Sequence, residues 1–403
     1  MITLTQCIDS VQEYSFRLQA ETFNTKAAGK NLDVSHSRML PYLSGNIGID
    51  GRSLRPYNFG QQWTLVHGDW SLGDFIRKTD QVARQEVVTA QLMQEQARLD
   101  GISRVTSLFM NVLQKEKERE LLEERIRLLQ THRIVSISLW KAGVRTRLDI
   151  LQTESELSVA KEQNVRVTVE IRNSIQELAK LTGMTELDTI RLEVINTAEL
   201  IQDININDLD RQLVTENPLY QILLSKVQTR QLQTGLISAQ NWPHIVAGGG
   251  YFVDGDPTAD GNFWTLQAGI TFPIYQWGNI KYQKEESQAL EKSMNMELLD
   301  LNRELLIHLE KTVIRMEEMS KMLTLQESRL QTSQEAQSLA DINYKAALIT
   351  NLEYLTTQQQ NTTTMITIEE TRLEYILNLI EYYLVTNQVQ RIKEMGTFTD
   401  ISN

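Results

Sequence analysis

Asn262-Phe-Trp-Thr-Leu-Gln-Ala-Gly-Ile-Thr-Phe-Pro-Ile274 alternates strictly: Trp264, Leu266, Ala268, Ile270 and Phe272 fall on one side, and Thr265, Gln267, Gly269 and Thr271 on the other. A period of two is the pattern of a strand with unlike faces. Three more windows read as strands, Pro41–Asp50, Gln61–Leu72 and His244–Asp254. In the first, Leu43, Ile47 and Ile49 oppose Ser44, Asn46 and Asp50. Each window has about the 9–11 residues that a tilted membrane strand needs, and apolar-out, polar-in alternation is the signature of a membrane barrel. A half-buried strand of a soluble sheet alternates identically.

Outward from these windows the chain repeats itself. Pro56 and Pro257, Trp63 and Trp264, and Gly68 and Gly269 are each 201 residues apart; Pro41 with Pro243, and Gly48 with Gly250, are 202 apart. The chain reads as two tandem units, residues 1–208 and 209–403. Each has a short helix (about 4–36; about 209–240), then two strands (about 41–72; 243–274), then long helices (about 74–183; 279–390).

Proline and glycine geography sets the helix lengths. The 6 prolines are absent between Pro56 and Pro218 and after Pro273, and 13 of the 19 glycines lie in 41–73 and 243–278. Proline breaks helix interiors, so its absence permits very long ones. The tract Asp74–Leu139, interrupted only by Gly101, would be roughly 100 Å long as one helix at about 1.5 Å per residue. Leu121, Leu122, Ile126, Leu128 and Leu129, and Leu298, Leu299, Leu305, Leu306 and Leu309, recur at helical spacing between charged residues, as in helix–helix seams. The fold expected is mostly α with a small β part.

The net charge of −12 argues against a nucleic-acid binder. The single Cys7 excludes an internal disulfide and any multi-cysteine metal site, and reads as a small buried hydrophobe in the first helix. No run approaches the roughly 20 apolar residues of a spanning helix, and no export signal stands at the start. The sequence is read as a mature or truncated form.

Four strands cannot close a membrane barrel, for which about 8 is the minimum, and open edges cannot exist in lipid. Strands that cross a membrane here must therefore combine with those of other copies. The second strand resists this reading. At the repeat offset, His67 and Asp69 fall where Ala268 and Ile270 face lipid, and a carboxylate there would be expensive. Either a bulge turns the face or Asp69 lies beyond the hydrocarbon.

Phe272-Pro-Ile-Tyr-Gln-Trp-Gly278 and the charged helix after it resemble the strand-to-helix passage of TolC-like outer-membrane efflux proteins. Glu216-Asn-Pro-Leu-Tyr220 resembles the helix opening of that family's second repeat, and Leu178-Ala-Lys-Leu-Thr-Gly183 its repeat ending. Trp140-Lys-Ala-Gly-Val-Arg-Thr-Arg-Leu-Asp149 and Tyr344-Lys-Ala-Ala-Leu-Ile-Thr-Asn-Leu-Glu353 are similar to its breaks near the periplasmic tip. The resemblance implies a homotrimer, a shared 12-stranded β-barrel in outer-membrane lipid, a long periplasmic α-barrel, and no cofactor. It also implies a periplasmic adaptor (membrane fusion) protein and an inner-membrane pump of RND, ABC or similar type, served by a passive duct.

The same resemblance places a latch carboxylate at Asp149 and its phenol partner at Tyr344, with a pore-lining acid at Glu353. Ile349 stands where the best-known members carry a tip arginine, Thr356 where a second lining aspartate would be, and Ala347 where the turn usually has glycine, which Gly143 keeps. From the residues alone, Thr146-Arg-Leu-Asp149 and Thr350-Asn-Leu-Glu353 are capping-box patterns that start helices. Capping and a pore role are compatible.

Other chemistry finds little footing. His36, His67, His132, His244 and His308 lack metal-ligand spacing, and no Gly-Lys-Ser/Thr follows Gly248-Gly-Gly250, which more simply makes room for a bulky cross-strand neighbour. Trp63, Trp70, Trp242, Trp264, Trp277 and Tyr251 cluster at the strand windows, as an interfacial belt or as ordinary core. No enzyme constellation stands out. The alternative to a duct is a soluble coiled-coil scaffold whose small sheets end its helical arms.

Overall fold

The computed structural model describes residues 2–47, 50–51, 59–60, 62–183, 192–203, 214–254 and 262–395. Ile49, Gly48, Pro56 and Pro257 lie outside them. The helices are α1 Leu4–Tyr14, α2 Phe16–Ser37, α3 Asp74–Lys141, α4 Arg147–Thr182, α5 Thr197–Asp203, α6 Pro218–Ala239, α7 Asn279–Lys345, α8 Asn351–Val385 and α9 Val389–Glu394. The strands are β1 Tyr42–Ile47, β2 Asp50–Gly51, β3 Phe59–Gly60, β4 Gln62–Leu72, β5 His244–Asp254 and β6 Asn262–Thr271. The fold class expected from composition is thus present: α3 and α7 run unbroken for 68 and 67 residues where proline is missing. The first helix divides at Ser15, whose extended backbone ends α1. Phe272, expected inside the last strand, lies one residue past it, ahead of Pro273, which has no N–H for a ladder.

The chain forms two compact units, each drawing on both halves of the sequence. The first comprises 1–19, 96–217 and 302–403. Its core gathers Ile102, Phe109 and Val112 of α3, Leu309 and Val313 of α7, and Ile376 and Leu379 of α8. Cys7 is buried in α1 as expected, and burial pushes its thiol up to about 11. A β-carbon on Gly101 would stand 2.7 Å from Val11 Cγ1, so this glycine, mid-helix in α3, is where α1 comes in against it.

The leucine stripes divide. Leu122, Leu129, Leu305 and Leu309 are buried within this unit, while Leu128 and Leu306 beside them are exposed. The seam expectation therefore accounts for most of the first stripe and for Leu298, Leu305 and Leu309 of the second. Leu128, Leu299 and Leu306 are the exposed members.

The second unit comprises 20–95 and 218–301. Its helix seams are polar and tight: Thr89 and Ser225 share a hydrogen bond of 2.7 Å, and Thr234 and Ser287 another of 2.7 Å. Its sheet is antiparallel in the order β1-β4-β5-β6, and β2 and β3 form a separate two-stranded ladder.

The register of the sheet disposes of the Asp69 difficulty. Thr64 pairs with Phe252 but Val66 with Tyr251, so Leu65 is an extra residue and β4 bulges there. The bulge shifts the alternation downstream. Leu43, Gly68, Gly249 and Leu266 share one cross-strand row, and Tyr42, Asp69, Gly248 and Gln267 the next; His67 shares the row of Ser44, Gly250 and Thr265. Asp69 and His67 therefore sit in the polar rows, not at the positions of Ala268 and Ile270 that the repeat offset gave them.

Candidate functional site

Two features stand out: an uncovered sheet in one unit, and a buried polar junction at the helix turns of the other.

On β6, Leu266 is 93% exposed and Trp264 78%, and Ile270 and, just past the strand, Phe272 are exposed as well. Leu43 on β1 is 70% exposed. Among the described residues none covers these apolar side chains. Ile47 lies in the row of Trp63, Val253 and Asn262, of the same parity as the Leu266 row. Trp242, Trp264 and Trp277 are exposed, which overturns a core role for them, and Tyr251 tilts against Trp264 at 4.9 Å between ring centroids. A β-carbon on Gly249 would come within 3.0 Å of the Thr265 carbonyl and 3.3 Å of Leu266 Cδ1, so the glycine run does admit a bulky cross-strand neighbour.

At the turns, α3 and α7 end alike. Gly143 N donates to Trp140 O at 2.9 Å and Val144 N to Leu139 O at 2.9 Å; Ala347 N donates to Tyr344 O at 3.0 Å and Leu348 N to Asn343 O at 2.8 Å. Both are Schellman ends, which require a left-handed residue. Gly143 supplies it at φ 73°; Ala347 takes it at φ 61°, against its β-carbon.

The helices that follow differ in their caps. Thr350 accepts from Glu353 N at 3.2 Å while the Glu353 carboxylate accepts from Thr350 N at 2.7 Å, a complete capping box. These bonds, with a further one from the Thr350 hydroxyl, hold the Glu353 carboxyl below the ordinary value of 4.5. The first box does not form: Thr146 is the N-cap without a side-chain cap, and its hydroxyl donates instead to Asp149 Oδ1 at 2.9 Å. Aspartate is one methylene shorter than the glutamate of a capping box and does not reach back to the N-cap N–H.

Behind the turns lies a junction that no local motif announces. Asn351, at the start of α8 and 2% exposed, accepts from His132 Nε2 of α3 at 2.8 Å and from Thr153 of α4 at 3.4 Å. Its amide nitrogen donates to Asp149 O at 3.0 Å and Gln152 Oε1 at 3.1 Å. His132, 3% exposed, stacks on Tyr354 at 3.8 Å with 12° between the ring planes, and tilts against Tyr344 at 4.5 Å. Burial pushes the Tyr354 phenol up to about 12.

Tyr344 is 1% exposed and shares a 3.0 Å hydrogen bond with Ser136. No hydrogen bond joins it to Asp149, so the chain does not itself make the pairing that the resemblance implied. Arg145 lies over the Tyr344 ring at 4.7 Å and donates to the main-chain oxygens of Tyr344 and Ile349. It is Arg145, in the first turn, that ties the two turns together. Glu353 and Thr356 are exposed, and Asp149 is half-buried.

No protein-family model matches the sequence, and no curated protein does. Solved structures do match. CusC, studied for its folding and transmembrane channel formation, superposes with a TM-score of 0.86 at 14% identity, over 95% of this chain and 92% of that one. The Campylobacter jejuni CmeC outer-membrane channel gives 0.82 at 14% identity over 99% and 90%, and the Vibrio cholerae outer-membrane protein VceC 0.82 at 14% over 95% of each. The likeness is one of fold: the chain has the TolC-like fold of outer-membrane channels.

Proposed function

We propose that this chain is one third of an outer-membrane exit duct, through which small molecules or polypeptides pass passively from a periplasmic adaptor and an inner-membrane pump to the outside. The observation that carries the proposal is the uncovered sheet. Leu43, Trp264, Leu266 and Ile270 are covered by none of the described residues, and β1 and β6 stand at the two ends of the sheet. Exposed hydrogen-bonding edges beside exposed leucine and tryptophan are untenable in water and impossible in lipid. Pairing β6 of one copy with β1 of the next removes both edges, and three copies give twelve strands, above the minimum for a closed barrel. The apolar rows then face lipid, the rows of Asp69 and Gln267 face the lumen, and Trp242 and Trp277 sit at the membrane interface.

The fold comparisons support the same reading, as do the exposed Leu128, Leu299 and Leu306 of the stripes, which would pack between copies. The two tandem repeats would alternate around such a ring. Asp149, Glu353 and Thr356, beside the turns, are then candidates to line its periplasmic end, where copies of Glu353 would form a carboxylate ring. Tyr344 serves there by holding the junction. A soluble scaffold would leave the sheet unexplained.

The test is the mass of the particle extracted in detergent from an outer-membrane fraction and its behaviour in planar bilayers. The duct predicts a trimer that forms ion-conducting channels. A stable monomer, soluble without detergent, overturns it.

A further inference from the structure

His132 is the only titratable side chain of the buried junction whose ordinary value falls near neutral pH, and its surroundings fix which form it takes. Asn351 spends its amide nitrogen on Asp149 O and Gln152 Oε1, so its oxygen must face His132 and accept. The neutral ring therefore carries its proton on Nε2. A second proton would put a full cation into a site that is 3% exposed. The charged groups that act on the ring are Asp341 of α7 and Asp149 of α4, which favour the cation, and Arg145 of the first turn, which opposes it. From α8 it meets the neutral Asn351 and the Tyr354 ring. A cation between tyrosine faces gains something back, about 0.5–2 kcal/mol. Burial outweighs these and holds the imidazole below its ordinary 6.5.

We propose that His132 is an acid-sensitive pin: protonation of its ring undoes the join among the ends of α3, α4, α7 and α8 and loosens the two turns that these helices carry. Asn351, Tyr344 and Tyr354 all pack on that one ring. A change of charge there is therefore felt directly by α7 and α8, and by α4 through the bonds that Asn351 makes to it. The sign follows from linkage. A histidine held below its ordinary value stabilises the packed state fully above 6.5, and that stability is lost as pH falls from 6.5 toward the lowered value. That the loosened turns also widen a passage rests on the duct reading; the pin itself does not.

The test is hydrogen exchange of the full-length protein in detergent at pH 7.5, 6.5 and 5.5, corrected for intrinsic rates. Peptides over residues 132–153 and 342–358 should open more below pH 6.5, by at most about tenfold per pH unit, the limit for one proton. Peptides around Phe109 should not respond. In His132→Gln, whose amide can still donate to Asn351 and cannot charge, the acid response should vanish. No acid response in the wild type, or the same response in His132→Gln, overturns the pin.

Should His132→Gln fail to fold, the ring C2 hydrogen exchange of His132 in the wild type decides. A midpoint below 6.5 upholds the pin, and one at or above it overturns it. Single-channel recordings at pH 7.5 and 5.5 separate the two readings. Absence of any channel removes the duct and leaves the pin to the exchange data. Unchanged conductance in a channel whose turns have loosened overturns the widening.

Discussion

Replacing Asn351 with alanine tests the junction at its centre. The side chain is 2% exposed and joins α8 to α3 and α4 through four hydrogen bonds of 2.8–3.4 Å. Alanine leaves the His132 N–H buried with no acceptor, at about 1–3 kcal/mol, and removes the bonds to Gln152 and Asp149 O at about 0.5–1.5 kcal/mol each. Thr153 is spared, because its hydroxyl also donates to Asp149 O at 2.9 Å. The total comes to about 3 kcal/mol, or roughly a hundredfold in the opening equilibrium of the turns. Hydrogen exchange at pH 7.5, above the window in which His132 titrates, reads that equilibrium directly. Ser136→Ala is the internal comparison. It takes one partner from Tyr344 and should cost about 1–2 kcal/mol. A loss of protection under fivefold for Asn351→Ala, or equal losses for the two variants, would mean that the amide is not what holds the helix ends together.

Ala347→Gly should protect the α7–α8 turn by about 0.5–1 kcal/mol, because glycine takes the left-handed position freely, less its greater freedom in the open chain. Gly143→Ala should cost a similar amount at the α3–α4 turn, where a β-carbon meets nothing within 4 Å and only the backbone objects. Exchange at each turn checks both, and effects of like sign would sink the argument. Residues 350–354 of the wild type should fray more as pH falls from 4.5 toward the lowered value of Glu353, because a carboxyl held low loses its stabilising effect over that window, and Glu353→Ala should remove this pH dependence; its persistence in exchange data would place its cause elsewhere. Leu266→Lys should lower the membrane-assembled fraction sharply, with roughly 2–4 kcal/mol at stake near mid-bilayer, whereas Gln267→Lys in the neighbouring row should be tolerated. Equal yields of heat-resistant trimer for these two would put the apolar rows somewhere other than lipid.

What the sequence disclosed and what it hid divide by the range of the interaction. The helix lengths were legible because proline acts locally, and the strand windows because alternation is local too. The extra residue in β4 was not, since nothing in Thr64-Leu-Val66 distinguishes a bulge from a regular step; its effect appears only when two partner strands are counted against it. The capping patterns were half right: Thr350 with Glu353 closes its box, while the shorter Asp149 turns to its own threonine. The junction was the deepest omission. His132 and Asn351 are 219 positions apart, and a lone histidine in a charged helix and an asparagine in a helix's first turn each have an ordinary explanation. Ile349, which stands where the resemblance would place a tip arginine, gave no hint of the junction. Within the chain, the main-chain oxygen of Ile349 accepts from Arg145 of the other turn.

The bare apolar rows of β6 carry a consequence for how such a subunit is made. A newly exported copy that finished folding by itself in the aqueous space would display an adhesive strip ready to clump with any comparable surface. In the duct proposed above, the last stage of maturation would therefore be collective. Copies would have to find one another and the lipid within the same event, or else travel under escort. The supply of free subunits, rather than the sturdiness of any single one, would then govern how many finished particles a cell obtains.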